Sequence, residues 1–225
     1  MPGKLFLVST PIGNYDDITL RAVKTLGEVD LIICEEYREA NRLLAHLRIK
    51  KPLESLNEHN QEKESMDFLL MLLEGKNIAL ISDCGTPVFS DPGLDLVRLS
   101  IQNKIDVIPV SGANSLLPAL ITSGFELDRF YYAGWLSPKK DIRKKELYNL
   151  RSIKSILVIM DTPYRLRTLL TDIQTTFGNK IQVSLAYQIS MKDELFLRGN
   201  IEHVLAKANS RNLKGEFVLI VDNRK

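Results

Sequence analysis

The sequence predicts an α/β fold, with a parallel amino-terminal sheet and a mixed carboxyl-terminal sheet, each flanked by helices. Short apolar runs rich in β-forming residues alternate with segments of helical periodicity, which is typical of βα units and parallel strands. In the second half, Asp193 and Glu194 lie between two β-type runs and indicate a hairpin, so antiparallel pairing is expected there. The stretch at residues 111–115 interrupts both periodicities, and we therefore expect two domains, residues 1–112 and 113–225.

The first half contains five apolar runs and four segments of helical period. Strands are expected at residues 5–9, 31–35, 52–56, 78–83 and 107–110. Helices are expected at residues 18–26, 38–47, 62–73 and 94–102. Asp16 or Asp17 is expected to cap the first helix, because a carboxylate there accepts the unpaired backbone N–H groups of the opening turn.

The second half continues with the same two kinds of segment. Helices are expected at residues 115–123, 165–177 and 201–208. Strands are expected at residues 130–134, 156–160, 183–189, 195–198 and 217–221. There is no internal repeat, low-complexity tract or long linker in the sequence.

The composition is that of a folded protein and excludes several functional classes. Its 225 residues are 44% hydrophobic and 26% charged, and the net charge of +2 is too small for a general polyanion binder. The first apolar run is interrupted by Ser9, Thr10 and Pro11, which fits neither a signal peptide nor a membrane span, so we expect a cytoplasmic protein. Cys34 and Cys84 each close an apolar run, and both are expected to be small buried residues.

Three loops share one position, just beyond the carboxyl end of a predicted strand. They read STPIGN (9–14), SDCGTPVFSDPG (82–93) and PVSGANS (109–115). In open α/β sheets, ligands bind outside the carboxyl ends of the strands, so the three loops are expected to border one cleft. Asp83 and Asp91 supply carboxylates to the middle loop, although Asp91 followed by Pro92 is also a typical helix start.

Familiar cofactor and metal signatures are missing from the sequence. It has no GxGxxG after the first strand, no GxxxxGK[ST], no HExxH and no Cys/His cluster with zinc spacing, so no metal is expected. The three histidines, His46, His59 and His203, are scattered and are interpreted as surface or partly buried residues.

The dense basic run KKDIRKK at residues 139–145 follows Trp135, the sole tryptophan. Its cations could neutralise phosphates of a nucleic acid. The alternative is that the run is simply the solvated face of a helix.

Five segments, in order along the chain, carry a resemblance to a known family. They are STPIGNYDDITLRAVKTL, LNEHNQEKE, SDCGTPVFSDPGLDLV, DRFYYAGWLSPKK and KGEFVLIV. Together they resemble the tetrapyrrole-methylase superfamily, and within it the branch that methylates a cytidine ribose 2′-hydroxyl in small-subunit ribosomal RNA. The resemblance implies a homodimer whose two domains hold S-adenosylmethionine in the cleft between them, with ribosomal RNA or the small ribosomal subunit as partner.

The resemblance also implies which residues bind the methyl donor. They come from all three loops and from the second domain, where Gly215 and Glu216 are further candidates: Pro11, Ile12, Gly13, Asp83, Gly85, Thr86, Pro87, Val88, Ser111, Gly112, Ser115 and Tyr187. The first loop would lie against the donor through backbone atoms.

Glu35 and Glu36 are the candidate catalytic residues, because a ribose hydroxyl is a poor nucleophile until a base removes its proton. The alternative is that they are exposed carboxylates favoured at a helix start. The candidate RNA contacts are the cations of the basic run and an arginine that follows a Thr-Pro-Tyr turn: Lys139, Lys140, Arg143, Lys144, Lys145 and Arg165. For Arg165, a role in the strand-to-helix turn is the alternative.

Three segments depart from the pattern of the family, as does the end of the chain. EEYR at residues 35–38 replaces EDTR, SGANS at 111–115 replaces PGPSA, and YQISM at 187–191 replaces RELTK. The chain also stops at Lys225, without the helical extension that many members carry. These differences bear on the acceptor more than on the donor, so a different acceptor or a non-catalytic donor-binding protein are the alternative readings.

Overall fold

A computed structural model describes residues 1–57 and 60–225, and of Glu62 only the backbone. Contacts within the chain define two compact units, Met1–Asn114 and Ser115–Lys225. Within the described residues of the first unit, five strands and four α-helices alternate: β1 (Leu5–Val8), α1 (Leu20–Glu28), β2 (Leu31–Cys34), α2 (Tyr37–His46), β3 (Leu53–Ser55), α3 (Gln61–Leu73), β4 (Ile78–Ile81), α4 (Leu94–Gln102) and β5 (Val107–Val110).

The sheet of the first unit is parallel throughout and has the strand order β3-β2-β4-β1-β5. β1 lies between β4 and β5, and its last residue, Val8, is in register with Ile81 and with Val110, which end those strands. The three loops singled out in the sequence therefore leave the same edge of the sheet side by side.

Helices cover both faces of this sheet, which explains why its central strands are apolar at every position. In β2, Leu31 and Ile33 pack into one buried cluster, whereas Ile32 and Cys34 pack into a second. Side chains of a strand point to alternate faces, so a strand with helices on both sides reads as a continuous apolar run.

The second unit contains a mixed sheet. Its elements are α5 (Leu116–Ile121), β6 (Phe130–Trp135), α6 (Lys140–Leu150), β7 (Ile156–Asp161), α7 (Leu166–Phe177), β8 (Gln182–Tyr187), β9 (Leu195–Asn200), α8 (Ile201–Ser210) and β10 (Phe217–Asp222). The strand order is β6-β7-β10-β8-β9, with β6 parallel to β7 and the other pairs antiparallel. The predicted fold class, including the mixed second sheet, is confirmed.

The start of the first helix differs from the prediction. Thr19 caps α1, since its Oγ1 accepts the Ala22 N–H at 3.1 Å, and neither Asp16 nor Asp17 does so. The two aspartates lie in a single 3₁₀ turn, which the side chain of Asn14 caps by accepting the Asp16 N–H. The Thr19 hydroxyl, directly before Leu20, accepts an N–H group of the first helical turn. The aspartates lie too far upstream to reach that turn.

The two cysteines lie in different environments. Cys34 is buried, and burial, with the nearby charge of Asp83 next in size, raises the pKa of its thiol to about 12, which makes it unreactive. Cys84 is exposed, so the prediction that it is buried is wrong. β4 ends at Ile81, and the turn that follows carries Cys84 out of the apolar layer.

No helix within the described residues is both long enough and apolar enough to cross a membrane.

The helix that carries the basic run, α6, ends against a buried asparagine. Asn223 is 4% exposed, and its Nδ2 donates to the carbonyl oxygens of Leu150, Arg151 and Ile153 at 3.2, 3.1 and 2.7 Å. These carbonyls lie at and beyond the last turn of α6, where the helix supplies no N–H group, and Asn223 adds to the bonds that Leu150 and Ile153 accept from the Ile153 and Ser155 N–H groups.

Replacing Asn223 with alanine is expected to lower the free energy of unfolding by about 2 kcal/mol, because the buried amide makes three hydrogen bonds that alanine cannot replace. Urea unfolding followed by circular dichroism measures the change. Asn209→Ala, at an exposed position of α8, is the matched control and should leave the midpoint unchanged. Equal midpoints for the two variants would contradict this account of the α6 end.

Candidate functional site

Thr10, the second residue after β1, ties the first loop to the middle loop. Its Oγ1 donates to the Ser82 carbonyl oxygen at 2.9 Å and accepts the Gly85 N–H at 3.2 Å. Its backbone N–H donates to the Gly85 carbonyl oxygen at 2.8 Å. Thr10 is 2% exposed, so these bonds are shielded from water and fix the turn after β4 against the end of β1.

Gly85 lies at the point of closest approach between these two loops. Its φ is +93°, a backbone conformation that side chains disfavour, and a Cβ added there would lie 3.3 Å from Cγ2 of Ile12. Pro11 and Ile12 are buried beneath the loops, whereas Gly13 is exposed. Glycine at 85 therefore leaves backbone, rather than a side chain, facing the first loop.

The middle loop continues with a strained residue. Val88 has φ +68°, which is rare for a β-branched side chain, and its side chain packs against the apolar cluster under the loop. Gly93, at φ +117°, occupies the N-cap position of α4. The reading of Asp91 as the cap of this helix is therefore wrong, because the helix begins one residue after Gly93, at Leu94.

The third loop approaches the first equally closely. A Cβ on Gly112 would lie 2.9 Å from Cβ of Ser9 and 3.2 Å from its carbonyl oxygen, so only glycine fits without movement. Thr19 Oγ1 reaches the Ser111 carbonyl oxygen at 3.4 Å, and Ser9 Oγ lies 3.2 Å from Thr86 Oγ1. Ser115 is the N-cap residue of α5, at the start of the second unit.

The predicted catalytic residues, Glu35 and Glu36, lie beside Asp83 of the middle loop. Asp83 Oδ1 accepts the backbone N–H of Glu36 at 3.1 Å. Glu36 is exposed at the N-cap position of α2, but its side chain caps no N–H group, and Glu35 is partly buried. Burial first, and then the charges of Glu36, Asp91 and Glu39, raise the pKa of Asp83 above its usual value, against the lowering effect of the Glu36 N–H.

A small recess opens beside Asp83, with a volume of about 40 Å³. It is lined by polar and apolar groups of the first loop, β4 and α2: Thr10, Pro11, Tyr15, Glu39, Ala40, Leu43, Ile81, Ser82 and Asp83. This volume suits one or two water molecules, not a nucleoside. The Tyr15 ring lies 4.7 Å from the His46 ring, centre to centre and tilted by 34°, and His46 is exposed, as expected for a surface residue.

The second-unit candidates lie at the end of β8. Tyr187 is 7% exposed, its ring belongs to the core, and its hydroxyl oxygen accepts the Lys214 N–H at 3.3 Å. A Cβ on Gly215 would lie 2.4 Å from Nε2 of Gln188, so this glycine makes room for that side chain. Burial raises the pKa of Glu216.

The candidate RNA contacts divide into two groups. Lys139, Lys140, Lys144 and Lys145 are exposed on α6 and the residue before it, but Arg143 is 3% exposed. Arg143 Nε donates to Asp172 at 2.9 Å, and its Nη1 donates to the carbonyl oxygens of Ser137 and Pro138. The prediction that Arg143 contacts phosphate does not fit this geometry, since its side chain faces the interior of the unit.

Arg165 also binds within the protein. Its guanidinium pairs with Asp161 at 2.5 Å, and Nη2 donates to the Leu136 carbonyl oxygen at 3.3 Å. The Asp161 side chain is fully buried and that of Arg165 is 21% exposed. The turn-stabilising role given as the alternative for Arg165 therefore accounts for its contacts.

Sequence reasoning missed Ser9 and Thr10 as contributors to the site. A signal was present, because two hydroxyl residues follow directly on an apolar strand, where side chains can bond to neighbouring loops.

Within residues 1–57 and 60–225, no group of His, Cys, Asp and Glu is arranged to hold a metal ion. His59, and Glu58 of the LNEHNQEKE segment, lie outside the described residues.

The fold matches solved structures of methyltransferases. A uroporphyrin-III-C-methyltransferase from Thermus thermophilus is 19% identical with a TM-score of 0.65, covering 99% of this chain and 95% of that one. A cobalamin biosynthetic enzyme, cobalt precorrin-4 methyltransferase, is 16% identical with a TM-score of 0.71, covering 97% of this chain and 94% of that one. These likenesses show that the chain shares the fold of these enzymes.

Sequence comparison is more specific. Residues 4–205 match the family Tetrapyrrole (Corrin/Porphyrin) Methylases. A Synechocystis protein named ribosomal RNA small subunit methyltransferase I is 41% identical over 219 residues, which is 97% of this chain and 78% of that protein. Its namesake from Thermotoga maritima is 38% identical over 222 residues, 99% of each chain. The chain therefore belongs to the tetrapyrrole methylase family, as predicted, and is a methyltransferase.

Thr10→Val is expected to lower the free energy of unfolding of the first unit by about 2 kcal/mol, because the buried Ser82 carbonyl and Gly85 N–H lose their partner. Thr10→Ser keeps the hydroxyl and is the control. Thermal unfolding of the two variants measures the difference. If valine is tolerated as well as serine, the hydroxyl does not hold the loops together.

Asp83→Asn is expected to leave the protein at least as stable as the wild type at neutral pH. Because the folded state raises the pKa of Asp83, its ionisation costs stability, and this cost develops as the pH rises from the pKa of the unfolded chain to that of the folded state and is complete above it. The asparagine oxygen can still accept the Glu36 N–H. Unfolding midpoints across acid and neutral pH test this, and a variant less stable only at neutral pH would contradict it.

Proposed function

We propose that this protein transfers a methyl group from S-adenosylmethionine to the ribose 2′-hydroxyl of a cytidine in small-subunit ribosomal RNA. Relatives at 41% and 38% identity, named ribosomal RNA small subunit methyltransferase I, support the assignment of the substrate. The observation that carries the proposal is the close approach of three loops at one edge of the first sheet, where Gly85 and Gly112 keep side chains out of the space between them.

The loop cluster fits this donor better than it fits a dinucleotide. A dinucleotide presents a pyrophosphate, which glycine-rich loops bind with several N–H groups at a helix N-terminus. The donor instead carries a sulfonium, an amine and a carboxylate, and it needs backbone donors and acceptors together. We assign donor contact to the predicted residues of the three loops, and to Tyr187 in the second unit.

The donor, when bound, supplies an electrophilic methyl group on sulfur. The protein must hold the ribose oxygen in line with that group, and such positioning accounts for most of the acceleration expected in a transfer of this kind. The hydroxyl proton leaves as the oxygen attacks, and Glu36 or Glu35 is the proposed acceptor of that proton. Asp83 is a positioning residue for Glu36, because its carboxylate binds the backbone N–H of that residue.

The four exposed lysines of the basic run supply the proposed contacts with RNA phosphates. Arg143 and Arg165 are left out of this surface, because both guanidinium groups bind carboxylates and carbonyl oxygens of the protein. We further propose that the enzyme works in the cytoplasm as a homodimer.

The function is tested by mapping ribose methylation in small-subunit RNA from cells that lack the protein. One 2′-O-methyl mark on a cytidine is expected to disappear, and the wild-type gene should restore it. Unchanged RNA methylation, together with a small molecule that accepts the methyl group in vitro, would overturn the RNA assignment. Donor binding without transfer to any acceptor would point to the non-catalytic reading.

Gly85→Arg is expected to abolish restoration of the mark and to weaken donor binding measured by calorimetry. The side chain would enter a backbone at φ +93° and begin 3.3 Å from Ile12. Gly27→Arg is the matched control, because a Cβ there meets nothing within 4 Å. Unchanged donor affinity in Gly85→Arg would refute the placement of the donor.

Replacing Lys139, Lys140, Lys144 and Lys145 together with glutamine is expected to weaken RNA binding and reduce the slope of log affinity against log salt by about 3. The control replaces four exposed lysines elsewhere in the second unit, Lys180, Lys192, Lys207 and Lys214, and changes net charge equally. Equal slopes for both variants would show that general charge, not this surface, attracts the RNA.

A further inference from the structure

Two exposed aromatic side chains lie at the carboxyl ends of β6 and β7. Trp135 is the last residue of β6 and is 46% exposed, and Tyr164, in the turn after β7, is 94% exposed. The hydrogen bond from Arg165 to the Leu136 carbonyl joins the residues that directly follow the two aromatics. Both rings therefore offer a flat face to solvent at the same end of the sheet, on which a planar ligand can stack.

The segment that leads from Trp135 to the basic run is held by hydrogen bonds within the second unit. The Ser137 N–H donates to Glu146 Oε2 at 2.8 Å, and the Lys139 N–H donates to Ser137 Oγ at 3.2 Å. Arg143 binds the carbonyl oxygens of Ser137 and Pro138 while pairing with Asp172, and both side chains of that pair are almost fully buried. The surface is therefore ordered before any ligand binds, which lowers the entropy cost of binding.

The charges beside the aromatics favour an anionic partner. Lys139 occupies the N-cap position of α6, and three more exposed lysines follow within six residues. Positive charge at a helix N-terminus opposes the helix dipole, and Asp141 is the one acidic residue in the first turn. A bound anion would relieve both the repulsion between the lysines and their conflict with the dipole.

Aromatic rings beside lysines form the kind of surface that binds single-stranded nucleic acid, since bases stack on the rings and cations neutralise the phosphates. We infer that Trp135 and Tyr164 stack on unpaired bases of the RNA substrate while the adjacent lysines bind the flanking phosphates. This inference rests on the proposed function and makes the substrate more specific. Bases within an RNA duplex are already stacked on each other, so the surface selects unpaired RNA.

A second copy of the chain is a less suitable occupant of this surface. A two-fold contact would place the same patch on both subunits, and four lysines of one chain would face four of the other. Such like-charge pairing opposes association unless anions intervene. The charge of the surface therefore favours RNA over self-association.

Trp135 is the sole tryptophan, so its fluorescence reports on this surface directly. A short single-stranded RNA oligonucleotide is expected to quench the fluorescence of the wild-type protein, and the same RNA annealed to its complement is expected to quench it far less. Tyr164→Ala should weaken single-strand affinity about tenfold, as loss of one stacked base predicts. Tyr131→Ala, at the other end of β6 and 44% exposed, is the matched control and should bind like the wild type.

The outcomes separate this inference from the proposed function. If RNA methylation persists while Tyr164→Ala and Trp135→Ala bind single-stranded RNA as the wild type does, the stacking surface is overturned and the proposed function stands. If the wild type methylates no RNA but single-stranded RNA still quenches Trp135, the proposed function fails and the surface stands. Equal quenching by duplex RNA would overturn the inference. So would Trp135→Ala converting a dimer to a monomer in sedimentation without changing RNA affinity.

Discussion

Thr10 bonds to the turn after β4 through three hydrogen bonds, and the geometry of the candidate donor site depends on them. One side-chain hydroxyl both donates to Ser82 and accepts from Gly85, which a buried hydroxyl can do because it has one proton and two lone pairs. With the middle loop fixed in this way, Gly85 lies against Ile12, and Gly112 fits over Ser9. The parallel register of β1 with β4 and β5 brings the loops together, and these contacts set the spacing between them.

In the second unit, buried ion pairs fix the position of a loop. Arg143 with Asp172, and Arg165 with Asp161, join α6 and the turn after β7 to α7 and to the end of β6. Buried pairs of this kind add little net stability over apolar side chains. Removing one partner is strongly destabilising, however, because it leaves the other charge buried without a counter-charge. Here they also bond to the carbonyl oxygens of Leu136, Ser137 and Pro138, so they specify the path of one loop. That loop presents Trp135 and Lys139 at the surface.

The sequence predicted the strands and most helices because their signals are local. β5 and α4 have the predicted bounds, and the strand ends that place the three loops are within two residues of expectation. The errors concern contacts between distant residues. Nothing near Arg143 in the sequence reveals its partner Asp172. The error at Cys84 is different, because this residue belongs to the loop predicted at residues 82–93 and its exposure follows from that loop. The Thr10 hydroxyl after an apolar strand was a local signal, but its partners lie more than 70 residues away, so the sequence did not show which groups it binds.

Carboxylates cluster around the middle loop of the first unit and lysines cluster on the second unit, although the net charge of the chain is only +2. Around the middle loop of the first unit, Asp83 is surrounded by Glu36, Glu39 and Asp91, and their mutual repulsion contributes to its raised pKa. This acidic group attracts a sulfonium cation and repels phosphate. Tyr37, which replaces the threonine of the EDTR pattern, connects to a further carboxylate, because its hydroxyl donates to Glu54 Oε2 at 3.5 Å. In the proposed function, RNA phosphates bind the lysines of the second unit. If Glu36 accepts the ribose proton as proposed, the acceptor ribose must reach it without bringing a phosphate close to these carboxylates. An unpaired nucleotide, whose ribose can turn away from its backbone neighbours, satisfies that electrostatic requirement more readily than a nucleotide in a duplex.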